Sequence, residues 1–132
     1  MEGNSESILE GAADCLLPDP NKVGLYLWTG DKHVPGTLDG IIGMIEYGMK
    51  KNPYSGDMYI FRTYSKQEIH VYRWAGDGWC IWKKKKNDYR KYYVPEENKE
   101  NYVKITGMEL HLMLKGINLW KQFPVYDGES MR

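Results

Sequence analysis

Three short apolar runs between Met58 and Trp82 set the pattern of the chain. Met58 to Phe61, Ile69 to Trp74 and Trp79 to Trp82 are each rich in β-branched and aromatic residues and are separated by polar or glycine-rich breaks. That pattern predicts three antiparallel strands. The second break, Ala75-Gly76-Asp77-Gly78, supplies two glycines that accept positive φ and an Asp that bonds its own backbone, as a tight hairpin requires. The first, Thr63 to Gln67, is a longer polar turn. On the middle run Ile69 and Val71 fall on one face and His70, Tyr72 and Trp74 on the other, so both faces are largely apolar and call for cover.

Before this meander, Val23 to Trp28 predicts another strand, closed by the turn signal Thr29-Gly30-Asp31. From Thr37 the period changes. Leu38, Ile41, Ile42, Ile45 and Met49 form a helical stripe, with Thr37 as N-cap, Asp39 in the first turn, Lys50 and Lys51 at the far end and Asn52-Pro53 as the stop. Gly40, Gly43 and Gly48 each cost this helix roughly 1 kcal/mol relative to Ala, so packing must hold it and something must approach it closely. After the meander, Tyr102 to Ile105 reads as one more short strand. Thr106-Gly-Met-Glu109 fits a reciprocal capping box that opens a helix with Leu110, Met113 and Leu114 on its apolar face, and Gly116-Ile117 fits a left-handed C-terminal cap.

Together these elements predict a single α+β domain over residues 23–120, with an antiparallel sheet of four or five strands. A glycine-bearing helix packs on one face and the short C-terminal helix closes an end. Residues 1–22 read as an acidic leader, with a short amphipathic helix around Ile8 to Leu17 ended by Pro18 and Pro20. Residues 121–132 read as a tail, with Trp120 and Phe123 as anchors on the core. At 132 residues the chain is sized for one ordinary domain.

Composition changes the picture in one respect. The formal net charge is zero, but the leader concentrates five acids (Glu2, Glu6, Glu10, Asp14, Asp19) against one base. The remainder therefore carries a positive excess, concentrated in Lys83, Lys84, Lys85, Lys86, Arg90 and Lys91, which face only Asp88. Eleven Tyr and five Trp suit cores and binding surfaces alike. Cys15 and Cys80 have no metal-ligand or disulfide spacing. No apolar run is long enough for a membrane span and the acidic start does not resemble a signal peptide, so a cytoplasmic protein is expected.

The segment WKKKKNDYRKYY offers cations to phosphates and rings to bases. The same lysines can equally be a solvated strand edge that discourages aggregation. Arg62 and Arg73 extend the cationic surface if their strands are neighbours, or else sit in ordinary cross-strand positions beside an acid such as Glu68. Trp74, Trp79 and Trp82 read as packing rather than as a ligand platform. His33, His70 and His111 are scattered over a loop, a strand and a helix. Asp31, Asp39, Asp57 and Asp77 sit at turns or a helix start, where Asp has a structural role. Neither set has the spacing of a metal or nucleophilic centre, so no catalysis and no cofactor is expected.

The ordered run LYLWTG, TLDGI, NPYSGDMYIFR, the Trp74 to Trp82 segment, the basic cluster and ITGMELHLMLKGINLW resembles one family. It is similar to the TnpB accessory protein, the second open reading frame, of the insertion-sequence-66 transposons, as a diverged member. Pro53 to Gly56 with Phe61-Arg62, Trp74 to Gly78, and Leu114 to Ile117 carry the resemblance, which spans roughly Lys22 to Trp120. The chain departs from the family pattern at His33-Val34-Pro35-Gly36, at Trp74-Ala75-Gly76, at His70 and at Lys83 to Lys86. The resemblance implies a non-catalytic accessory role in DNA transposition, with DNA and a transposase encoded alongside as partners. The nucleic-acid contacts would then come from Lys83 to Lys86, Arg90, Lys91, Arg62 and Arg73. The alternative is a protein-interaction module that binds no nucleic acid.

Overall fold

At Ala75-Gly76-Asp77-Gly78 the chain reverses as its residues dictate: the Ala75 amide donates to the Gly78 carbonyl at 2.8 Å and Gly76 takes φ +94°. The hairpin joins β3 (Glu68–Trp74) to β4 (Trp79–Lys85), paired from Trp74 opposite Trp79 to Glu68 opposite Lys85. The polar turn before it joins β2 (Met58–Arg62) to β3, closed by Thr63 N–H to the Glu68 carbonyl at 3.0 Å. The structure is a computed structural model that describes residue 19 and residues 22–121. The expected helix at Ile8 to Leu17, residue Cys15, Phe123 and most of both terminal segments lie outside the described residues.

Two further strands, β1 (Leu25–Trp28) and β5 (Tyr102–Ile105), complete one sheet in the order β4-β3-β2-β1-β5. The fold is α+β, as the sequence predicts, but the sheet is mixed rather than wholly antiparallel: β1 runs parallel to β2, with Leu25 opposite Met58. The reason lies in the connection. Between Trp28 and Met58 the chain forms α1 (Leu38–Gly43), which continues as a π-helical segment over Met44–Gly48. A helical crossover returns the chain to the end from which β1 started, so parallel pairing follows.

Each face of the sheet is covered. On one, Ile41, Ile45 and Met49 pack with Trp28, Tyr59, Phe61 and Tyr72. These three helical residues are spaced by four, and the wider π turn keeps them in line where a strict 3.6-residue period would carry Met49 away. Both Ile side chains are fully buried, each contributing about 1.5–3 kcal/mol. The close approach that the glycines predict occurs at Gly40, where an added Cβ would lie 2.6 Å from Cβ of Pro35, and at Gly48, where it would lie 2.9 Å from Cζ3 of Trp28, whereas Gly43 has nothing near it.

The opposite face is covered by α2 (Gly107–Leu114), which packs over the sheet instead of closing its end. Leu110 and Met113 cluster with Leu25, Leu27, Ile60, Ile69 and Val71, and Tyr92, from the irregular segment after β4, fills the same layer. Thr106 accepts from Glu109 N–H at 3.1 Å while Glu109 accepts from Thr106 N–H at 2.9 Å, the reciprocal box that the sequence predicts. At the other end Gly116, at φ +85°, sends its N–H to Met113, and Ile117 N–H reaches Leu112, which ends the helix on a left-handed residue. Trp120 is anchored as expected: its indole N–H donates to the Tyr93 carbonyl at 3.0 Å.

Candidate nucleic-acid interface

The basic residues gather at the end of the sheet where β2 turns into β3. After β4 the chain has no regular structure, yet it is stitched to that turn. Lys86 N–H donates to the Gln67 carbonyl at 2.8 Å, Tyr92 N–H to Lys66 at 2.8 Å, and the Gln67 side chain to Asp88 at 3.3 Å. This brings Lys66 into the company of Arg90 and Lys91, all three exposed. Charge clustering along the sequence does not point to Lys66. It takes φ +68° in the turn, so its place follows from turn geometry and not from the lysine run.

The run itself is divided by the strand. β4 extends through Lys85, and successive side chains of a strand point to opposite faces. Lys84 therefore reaches the face covered by α2, where its ammonium donates to the Leu114 carbonyl at 2.9 Å. Lys86 turns the same way, its ammonium 5.0 Å from the Tyr92 ring centroid and in the space that a Cβ on Gly116 would need. Lys84 sits against a last carbonyl of α2, the end of a helix that favours positive charge, and Lys86 lies beside Gly116 just past that end. Lys83 and Lys85 go to the other face, opposite His70 and Glu68 on β3. The four lysines thus form two pairs with different surroundings.

Two acids beside the strand end and the loop after it are engaged. Glu68 lies 3.0 Å from Nε2 of His70, and Asp88 lies 3.3 Å from Nε of Arg90. The His70 hydrogen bond holds the Glu68 carboxyl below the usual carboxylate range, with smaller pulls from Lys85 and Lys83. The second pair is largely exposed and contributes little to stability. Tyr89, in the same loop, is fully exposed, so a large ring stands in water beside the cations.

Arg62 and Arg73 occupy the same face of the sheet as Lys84, and both serve the backbone. Arg62 donates to the Tyr92 carbonyl at 2.8 Å and Arg73 to the Gly56 carbonyl at 3.0 Å. Glu68 pairs with His70, not with either arginine. Trp74 and Trp79 pack edge to face at the hairpin, with Tyr54 closing the cluster, and Trp82 packs against the α2 side of the core. The three histidines lie on the β1–α1 loop, β3 and α2, and among the described residues no three His, Cys, Asp or Glu side chains are grouped to hold a metal ion.

The profile of the family described as IS66 Orf2 like protein matches residues 23–123. The chain belongs to the IS66 Orf2-like family. All five strands, both helices and the basic end lie within the matched stretch. As an IS66 Orf2-like protein the chain is an accessory protein of transposition of an insertion sequence. Comparison with curated proteins and with solved structures gives no match. Among the described residues of this IS66 Orf2-like chain, no helix is long and apolar enough to cross a membrane.

Proposed function

We propose that this accessory protein is non-catalytic and contacts nucleic acid through the basic end of its sheet, with Lys83 and Lys85 exposed on the face away from α2 and Lys66, Arg90 and Lys91 around the turn. Lys84 bonds the end of α2 instead, and Lys86 lies over Tyr92 beside Gly116. The observation that carries the reading is that five exposed cations converge on one end, where Glu68 is hydrogen-bonded to His70 and Asp88 is paired with Arg90, one of the five. Such a surface presents concentrated positive potential to a phosphate backbone, and each neutralised phosphate releases counterions. Among the described residues both helices pack on the sheet, which favours binding by backbone over reading of base sequence.

Titration of duplex DNA at two salt concentrations tests the proposal. Affinity should fall steeply with salt and drop further in the variant Lys83→Glu/Lys85→Glu. Affinity that ignores both salt and substitution discards it. Co-purification with a transposase partner that survives the same substitutions, together with no DNA binding, would support the protein-interaction module.

A further inference from the structure

The carboxyl ends of β1 and β2 lie side by side, and their chains depart differently: β1 leads toward α1, while β2 turns back into β3. Between these departures, and bounded by the loop before β5, is a cleft of about 660 Å³, a volume in the range of small-ligand sites, roughly 300–1,000 Å³.

Its lining includes three cations and several aromatic rings. Arg62 is half-buried there and makes a single hydrogen bond, to Tyr92, with no ion pair among the described residues. A guanidinium has five N–H donors, so most of this one's donors meet no described protein group. Burial accordingly pulls the Arg62 guanidinium below the usual arginine range. Lys66 and Lys32 flank it. Across the mouth, the His33 and Tyr64 rings, from two different loops, meet with centroids 4.3 Å apart, and Tyr64 keeps 71% of its surface exposed.

We infer that this cleft receives one unpaired nucleotide of a DNA strand, its phosphate on Arg62 and Lys66 and its base against Tyr64. The inference rests on the proposed nucleic-acid contact and deepens it, because Lys66 belongs both to the cleft and to the basic end of the sheet. The rim sets the ligand's size. Asp31, Glu96 and Glu97 also border the cleft, all solvent-exposed. Three carboxylates repel a continuous polyanion, so the site suits a single phosphate with its base and refuses a duplex. Ring stacking tolerates any base, so the cleft discriminates unpaired from paired DNA and not one sequence from another.

The test compares a blunt duplex with the same duplex bearing a short unpaired overhang that carries 2-aminopurine. The full chain should bind the overhang about tenfold more tightly, in the range of one stacked base, and should quench the 2-aminopurine emission. Tyr64→Ala should abolish the preference and the quenching while blunt-duplex affinity stays the same. Lys66→Asn, which keeps a residue tolerant of positive φ, should weaken both substrates. Equal affinity for blunt and overhang DNA, or quenching that survives Tyr64→Ala, would overturn this assignment alone. Failure to bind either DNA would overturn it together with the proposed function.

Discussion

Lys83 and Lys84 are adjacent in the chain and serve opposite faces of the sheet: Lys83 stands across from His70, while the Lys84 ammonium reaches over to the Leu114 carbonyl at 2.9 Å. A strand turns a run of like residues into two sets by its pleat. One set here lies at the end of α2, where Lys84 bonds a carbonyl, and the other is exposed on the opposite face. Several consequences can be measured.

The Tyr92 hydroxyl is buried and has no hydrogen-bond partner among the described residues, and burial pushes its ionisation above the usual tyrosine range. An unpaired buried hydroxyl carries a desolvation penalty of about 1–3 kcal/mol. Tyr92→Phe removes that hydroxyl and keeps the ring beneath Lys86. Denaturant unfolding should show stability unchanged or raised by about 1 kcal/mol; a decrease of comparable size would mean that the hydroxyl is satisfied in solution.

Glu68 gives the fold a pH dependence of known sign. Its carboxyl is held below the usual range, chiefly by the His70 hydrogen bond, so its folded value lies below the unfolded value of about 4.3. The ionised form therefore favours the folded state. The contribution is complete above the unfolded value and is lost as pH falls through the folded one. A carbon-detected NMR titration should find the Glu68 midpoint rising toward about 4.3 in His70→Val. A midpoint that does not move would show that His70 is not the cause.

At the start of α2 the capping box joins Thr106 and Glu109 in both directions. Thr106→Ala should cost about 1 kcal/mol, with most of it recovered by Thr106→Ser. Because α2 covers one face of the sheet, the destabilisation should appear as a lower midpoint for the whole domain in thermal unfolding. A change confined to helix content, with the midpoint unmoved, would contradict the cooperative packing of helix on sheet.

Local chemistry is legible in the sequence, and its tertiary consequences are less so. The Gly76 hairpin, the Thr37 and Thr106 caps and the Gly116 terminus follow from residues within a few positions of one another, and all occur where those residues predict them. Parallel pairing of β1 with β2 depends on a connection of about thirty residues, although the predicted helix inside it is the available sign, since parallel strands need such a crossover. The place of α2 over the second face is not legible, because an apolar stripe says that a helix is covered and not by what.

The basic site shows the same division. That β4 runs into the lysines is readable, and with it the alternation that separates Lys83 and Lys85 from Lys84 and Lys86. Taken as one cationic arm, the run hides that period. Lys66 cannot be found from charge clustering, because the turn and three cross-chain hydrogen bonds bring it to the site. Arg62 and Arg73 read in the sequence as charges, whereas each also secures a backbone carbonyl.

The central claim is that one face of β4 meets phosphate and the other does not. Its most direct test is the slope of log affinity for duplex DNA against log salt, measured for the unaltered chain, for Lys83→Gln/Lys85→Gln and for Lys84→Gln/Lys86→Gln. The first variant should flatten the slope by about 1 for each phosphate no longer neutralised and leave thermal stability nearly unchanged. The second should keep the slope and lower the unfolding midpoint. Equal flattening by the two variants, or a flat slope in the unaltered chain, would contradict the claim.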